Sequence, residues 1–108
     1  LELNEYQELA SRTARTDRPF LQTVANFALG VAGEAGEVVD EVKKLIYHGH
    51  PLDKDKMKKE LGDVLWYTSQ LARAFGIELD DIAITNLEKL KARYPDGFSE
   101  ERSLHRTV

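Results

Sequence analysis

Residues 28–44 read ALGVAGEAGEVVDEVKK, and residues 60–67 read ELGDVLWY. Each stretch sets two carboxylates three residues apart, Glu34 with Glu37 and Glu60 with Asp63. Both pairs lie inside an apolar pattern of helical period, so each pair projects from one helix edge. In the first stretch and its flanks, Val24, Phe27, Val31, Ala35, Val38, Val42 and Leu45 share one arc. Glu34 and Glu37 stand on the shoulder of that arc, with Glu41 between them. In the second, Glu60 and Asp63 hold the same shoulder relative to Val64 and Leu71, and Tyr67 shares their edge.

Between the two stretches lies His48-Gly49-His50-Pro51. Glycine suits the left-handed cap of a helix and proline cannot continue one, so this segment is read as a turn between antiparallel helices. At about 1.5 Å per residue, Glu37 and Glu60 fall at similar heights on either side of it, and the acidic pairs face each other. Four converging carboxylates repel one another unless a cation sits among them. Oxygen donors of this kind suit a hard divalent ion, Mg²⁺ with Mn²⁺ as a substitute. The pattern points to metal-assisted phosphate chemistry.

Working outward, the periodicity predicts four helices and no strand. The first runs from about Asn4 to Ala14, with Leu3, Tyr6, Leu9, Ala10 and Thr13 spaced for a buried stripe. Arg15–Pro19 interrupts it, and Asp17 is a candidate cap for a second helix over Phe20–Tyr47. A third opens at Asp53 or Asp55 and runs to Phe75, before Gly76. A fourth opens at Asp80 or Asp81 and ends at Tyr94, before Pro95. Residues 97–108 are expected to form an irregular tail, and residues 1–108 a single domain. Short connections favour antiparallel neighbours, hence an all-α, up-and-down four-helix bundle. Trp66 falls away from the stripe of Leu61, Val64, Leu65, Leu71 and Phe75, as an interface or second-core residue would. A chain of 108 residues with one very long helix is expected to be completed by oligomerisation.

The fourth helix carries Asn86, Lys89 and Arg93 on one edge, the acidic layout with its sign reversed. Those side chains, with Lys44 near the acidic edge of the second helix, suit the phosphate oxygens of a substrate. Gly30, Gly33, Gly36 and Gly62 lie within helices at a cost of about 1 kcal/mol each, which implies close approach by a neighbouring helix or a ligand.

Composition narrows the alternatives. A net charge of −4 argues against broad nucleic-acid binding, and the absence of cysteine excludes disulfides and thiolate chemistry. No apolar run approaches the roughly 18 residues of a membrane span. The acidic, polar start does not resemble a secretory signal, so a cytoplasmic location is expected. No Glu-x-x-His pair, no Walker-type glycine loop and no serine with a base at diagnostic spacing occurs. His48 and His50 read as turn residues.

The stretches 28–44, 60–67 and 86–98 (NLEKLKARYPDGF) together resemble the MazG-like nucleotide pyrophosphohydrolases of the all-α NTP pyrophosphatase superfamily. The resemblance covers about Tyr6 to Phe98, with the three blocks in the family's order. It implies Mg²⁺-dependent hydrolysis of a nucleoside triphosphate, often a deoxynucleotide, to the monophosphate and pyrophosphate by a homodimer or homotetramer. Glu34, Glu37, Glu60 and Asp63 are the implied metal ligands, and Lys89 and Arg93 match the family's phosphate-binding positions, with Asn86 as a companion. Glu37, Glu41 and Glu60 are alternative acceptors for the proton of the attacking water, with Lys44 and Tyr67 as further substrate contacts. Phosphoribosyl-ATP pyrophosphohydrolase is a related reading; a non-enzymatic helical oligomer that binds a nucleotide or a partner helix is the rival from another class.

Overall fold

The computed structural model describes residues 1–107. Its elements are α1 (Leu3–Ala10), a 3-10 turn (Ser11–Thr13), α2 (Phe20–Tyr47), α3 (Lys54–Ala74), α4 (Leu79–Arg93) and α5 (Glu100–Leu104). The fold is all-α, with four longer helices as the periodicity predicts. Gly49 and Gly76 adopt positive φ, 69° and 72°, where the chain leaves α2 and α3.

The dominant packing is between α2 and α3. Glu41 meets Lys56 near the turn, and Gly30 meets Tyr67 farther along, so the two helices run antiparallel. Helix α1 runs antiparallel to α3. Its start bonds to the segment entering α4, and its end receives Trp66, whose Nε1 donates to the Ala10 carbonyl (3.2 Å) and Thr13 Oγ1 (3.0 Å). Trp66 is therefore a second-core residue. Its ring meets Phe27 and Tyr67 edge-on, at 5.8 and 4.9 Å.

Several boundaries differ from expectation for identifiable reasons. The first helix becomes a 3-10 turn after Ala10, because Trp66, Ser11 and Thr13 engage its last carbonyls; Ser11 Oγ donates to Glu8 (2.6 Å) and Thr13 Oγ1 to Ala10 (3.2 Å). Asp17 does not cap α2. It accepts two hydrogen bonds from Arg15 (2.8 and 3.0 Å), and Pro19 occupies the cap position. Asp53 caps α3 by accepting from the Lys56 N–H (3.0 Å). Neither Asp80 nor Asp81 caps α4. Gln7 Oε1 accepts from the Leu79 N–H (3.0 Å) and Asn4 Oδ1 from the Asp80 N–H (2.9 Å), so α1 supplies that cap. The tail is not wholly irregular: Ser99 accepts from the Arg102 N–H (3.3 Å) and starts the short α5. Val108, also assigned to the tail, lies outside the described residues.

Among the described residues the buried apolar ones are few: Phe27, Ala72 and Leu79. Beside them Gln7, Ser69 and Gln70 are buried as a satisfied polar knot. Gln7 Nε2 donates to the Ser69 and Ile77 carbonyls, both at 3.0 Å, and Gln70 Nε2 donates to the Gln7 carbonyl (3.2 Å). One glutamine thus joins α1, α3 and α4. Gln7→Ala strands the Leu79 N–H and two carbonyls, so it should cost about 2–3 kcal/mol. Chemical denaturation with circular dichroism measures this; an unchanged midpoint would show that water replaces the glutamine freely.

Candidate functional site

The α2–α3 pairing brings Glu34, Glu60 and Asp63 together, with one oxygen from each within 4.8 Å of the others. Glu34 and Glu60 are half-buried and Asp63 is exposed. Burial first, then the charges of Asp63, Glu60 and Glu37, hold the Glu34 carboxyl above its ordinary range. No cation figures among the groups acting on it. Lys56 is the cation whose charge reaches Glu60. The three carboxylates form an oxygen-only donor set, which suits a hard divalent ion better than a thiophilic one.

Glu37, the fourth expected ligand, is exposed and stays outside the converging three, though close enough for its charge to reach Glu34. Glu41 is held differently. Lys56 approaches its carboxylate to 2.8 Å across the hairpin, and Lys44 stands at 4.0 Å. Lys44 bonds more closely to Asp40, at 3.0 Å, which holds the Asp40 carboxyl below its usual range. The hydrogen bond that Lys56 donates to Glu41, then the charge of Glu41, raises the pKa of the Lys56 ammonium. Glu41 therefore clasps the hairpin about two turns of α2 beyond Glu34.

Tyr67 closes the other side. A Cβ on Gly30 would run into the Tyr67 ring, so the absence of a side chain there lets the ring lie on α2 one turn from Glu34. Among the helical glycines, Gly30 is the one where close approach is visible; Gly33, Gly36 and Gly62 face open space. Tyr6 enters from α1: burial first, and the charge of Asp63 second, raise its phenol.

The fourth helix does not complete this site within one chain. It packs chiefly on α1. Asn86 and Lys89 line a groove of about 370 Å³ with Ile77, Ile82 and Thr85, apart from the acidic cluster. Arg93 is half-buried at the end of α4.

Sequence reasoning missed Lys56, although its position one turn before Glu60 and the antiparallel register together place it opposite Glu41. It also missed a cleft of about 220 Å³ at the start of α2, lined by Arg15, Arg18, Gln22, Thr23, Asn26 and Phe27. Gln22 and Asn26 recur at helical spacing ahead of Gly30 and Glu34, a signal that was there to be read.

The family model described as the MazG nucleotide pyrophosphohydrolase domain matches residues 22–98. This span holds the acidic cluster, the Glu41 clasp and the whole of α4. The chain is also 34% identical over 100 residues to the "Gene 37 protein" of Mycobacterium phage L5, across 85% of this chain and 88% of that one. No solved structure matches it.

If the cluster holds Mg²⁺, the ion stabilises the native protein by an amount set by its concentration over Kd, about 2.7 kcal/mol at a hundredfold excess. Glu34→Gln should raise the metal-free melting temperature by relieving repulsion, and should remove most of the Mg²⁺-induced rise. A wild-type melt indifferent to both Mg²⁺ and Mn²⁺ would sink the metal assignment.

Proposed function

This chain belongs to the MazG nucleotide pyrophosphohydrolase family, and from that premise we propose that it hydrolyses a nucleoside triphosphate, a deoxynucleotide by preference, to the monophosphate and pyrophosphate with Mg²⁺. The observation that carries this reading is the convergence of Glu34, Glu60 and Asp63 within 4.8 Å at the heart of the matched segment. When bound, Mg²⁺ supplies charge neutralisation and Lewis acidity toward phosphate oxygens.

Glu34, Glu60 and Asp63 hold the ion, with Glu37 completing the set or serving as base. Water attacks the α-phosphorus, the bond to the bridging oxygen breaks, and pyrophosphate leaves. Glu37 is our choice for accepting the water's proton, because it lies beside the cluster and forms no ion pair among the described residues. Glu41 is less suited, since Lys56 occupies it at 2.8 Å. Tyr67 borders the site and binds the substrate; Lys44, farther along α2 and paired with Asp40 at 3.0 Å, is a further phosphate contact. Asn86, Lys89 and Arg93 bind the triphosphate, and since α4 packs on α1 they approach it from a second copy.

That second copy has physical support. The chain exposes 8227 Å², against about 6,100 Å² for a folded monomer of this mass. Its radius of gyration is 16.9 Å, against about 13 Å for a compact domain of this length. Ile84, Leu87 and Leu90 on α4 and Leu29, Val39 and Ile46 on α2 are all exposed. A homodimer or homotetramer covers these faces. Light scattering after size exclusion should return two or four times the chain mass; a monomer that hydrolyses at full rate would overturn both the assembly and the shared site.

The reaction itself is tested by incubating the protein with the eight common NTPs and dNTPs plus Mg²⁺ and scoring pyrophosphate apart from orthophosphate. Pyrophosphate with the matching monophosphate is expected. Glu60→Ala should lower kcat by at least about 100-fold with its helical circular dichroism intact. Orthophosphate alone, or full activity in the variant, would end this reading.

A further inference from the structure

We infer that Asn4 and Glu78 form a latch that sets the direction of α4, which makes them positioning residues for its phosphate-binding edge; the inference rests on the triphosphate reading above. The latch closes where α4 leaves the rest of the chain. Two side chains of α1 grip four consecutive residues there. Gln7 Nε2 donates to the Ile77 carbonyl and Gln7 Oε1 accepts from the Leu79 N–H, both at 3.0 Å. Asn4 Nδ2 donates to Glu78 Oε2 (3.1 Å), and Asn4 Oδ1 accepts from the Asp80 N–H (2.9 Å). Glu78 holds the cap position of α4 without capping it; its carboxylate turns back to α1 instead.

What the grip controls follows from what lies beyond it. Leu79 is the one buried residue of α4, and residues 84–92 are all exposed. The direction of the helix is therefore set at its start. The end of α3 is closed, because the Gly76 and Ile77 N–H groups donate to the Arg73 and Ala72 carbonyls, both at 2.9 Å. Freedom to turn is left at Ile77 and Glu78, the residues that α1 holds. Lys89 stands ten residues beyond Leu79, about 15 Å of helix, so a tilt of about 10° swings it by about 3 Å. That is the length of a hydrogen bond, enough to lose a phosphate oxygen.

The two α1 residues divide the task. Gln7 is buried in the core knot, so its loss strikes stability. Asn4 is half-buried and its bond to Glu78 lies at the surface, so that bond can be altered with the fold intact. An amide supplies a donor for Glu78 and an acceptor for the Asp80 N–H at once, which a carboxylate cannot. Asp80 and Asp81 add further negative charge to the same turn, which disfavours any acid at position 4.

The test reverses one bond. Asn4→Asp keeps the acceptor for the Asp80 N–H but sets a carboxylate against Glu78. Adding Glu78→Gln restores the bond in the opposite direction, with the glutamine amide donating. The chain has no cysteine, so Lys43→Cys and Lys91→Cys, both at exposed positions, accept spin labels that measure the span from α2 to α4. Labelled chains are diluted into excess unlabelled protein, so that the span is read within one chain. In Asn4→Asp it should shift or broaden by at least about 3 Å. KM for the preferred triphosphate should rise at least about fivefold with kcat within about twofold. The double variant should restore both. Glu78→Ala, which breaks the bond without adding charge, should move span and KM the same way. On a Lys89→Ala background, Asn4→Asp should raise KM less than it does alone, because the latch acts through that side chain.

An unmoved span, a moved span with KM unchanged, no recovery in the double variant, or an equal rise on the Lys89→Ala background would each overturn the latch. Pyrophosphate release from no triphosphate, with the span still moving and recovering, would discard the hydrolase reading and keep the hold of α1 on α4.

Discussion

The register between α2 and α3 governs everything else in this molecule. It is fixed at two points by different forces. At one, the Tyr67 ring rests on Gly30, where any side chain would hold the helices apart. At the other, Lys56 reaches Glu41 at 2.8 Å across the hairpin. Glu34, Glu60 and Asp63 lie between these two points. A slip of one residue would rotate a carboxylate out of the cluster by about 100°. The aromatic contact sets the distance, the ion pair sets the level, and the acids meet as a consequence.

That meeting opposes folding. Burial and three neighbouring negative charges all act against the ionised form of Glu34. The protein offsets this outside the cluster, through the Phe27, Trp66 and Tyr67 rings and the knot around Gln7. The Gln7 knot also explains the placement of α4, whose first N–H groups are satisfied by Gln7 and Asn4 of α1 rather than by its own aspartates. One polar residue near the start of the chain therefore decides where the last long helix departs.

Much of the fold was legible because helical period is a local property. The bounds of α2, the turn at Gly49 and the opening of α3 at Asp53 follow from spacing and caps alone. The acids were legible for the same reason: three of the four expected ligands converge once the hairpin closes. What failed depended on partners distant in sequence. Asp17 is a good cap by type, yet Arg15 two residues away offers it two hydrogen bonds. Asp80 and Asp81 lost the start of α4 to side chains more than 70 residues earlier. Lys89 was expected opposite the acids from its helix edge, but an edge says nothing about which neighbour it meets.

The departure of α4 has its own logic. A helix with Ile84, Leu87 and Leu90 exposed on one chain is not paired well enough to be stable alone, since little of its apolar area is removed from water. Lys89 on its outer edge forms no ion pair among the described residues. Were α4 to lie against another copy, as proposed above, apolar faces would cover each other while Lys89 came toward a cluster in which only negative groups act on Glu34. A metal alone cannot supply that balance for a substrate carrying several negative charges, because each added phosphate oxygen restores the repulsion the ion relieved. In the assembly proposed above, the charge of the cluster and the surface excess of the chain would have a common remedy in the same helix.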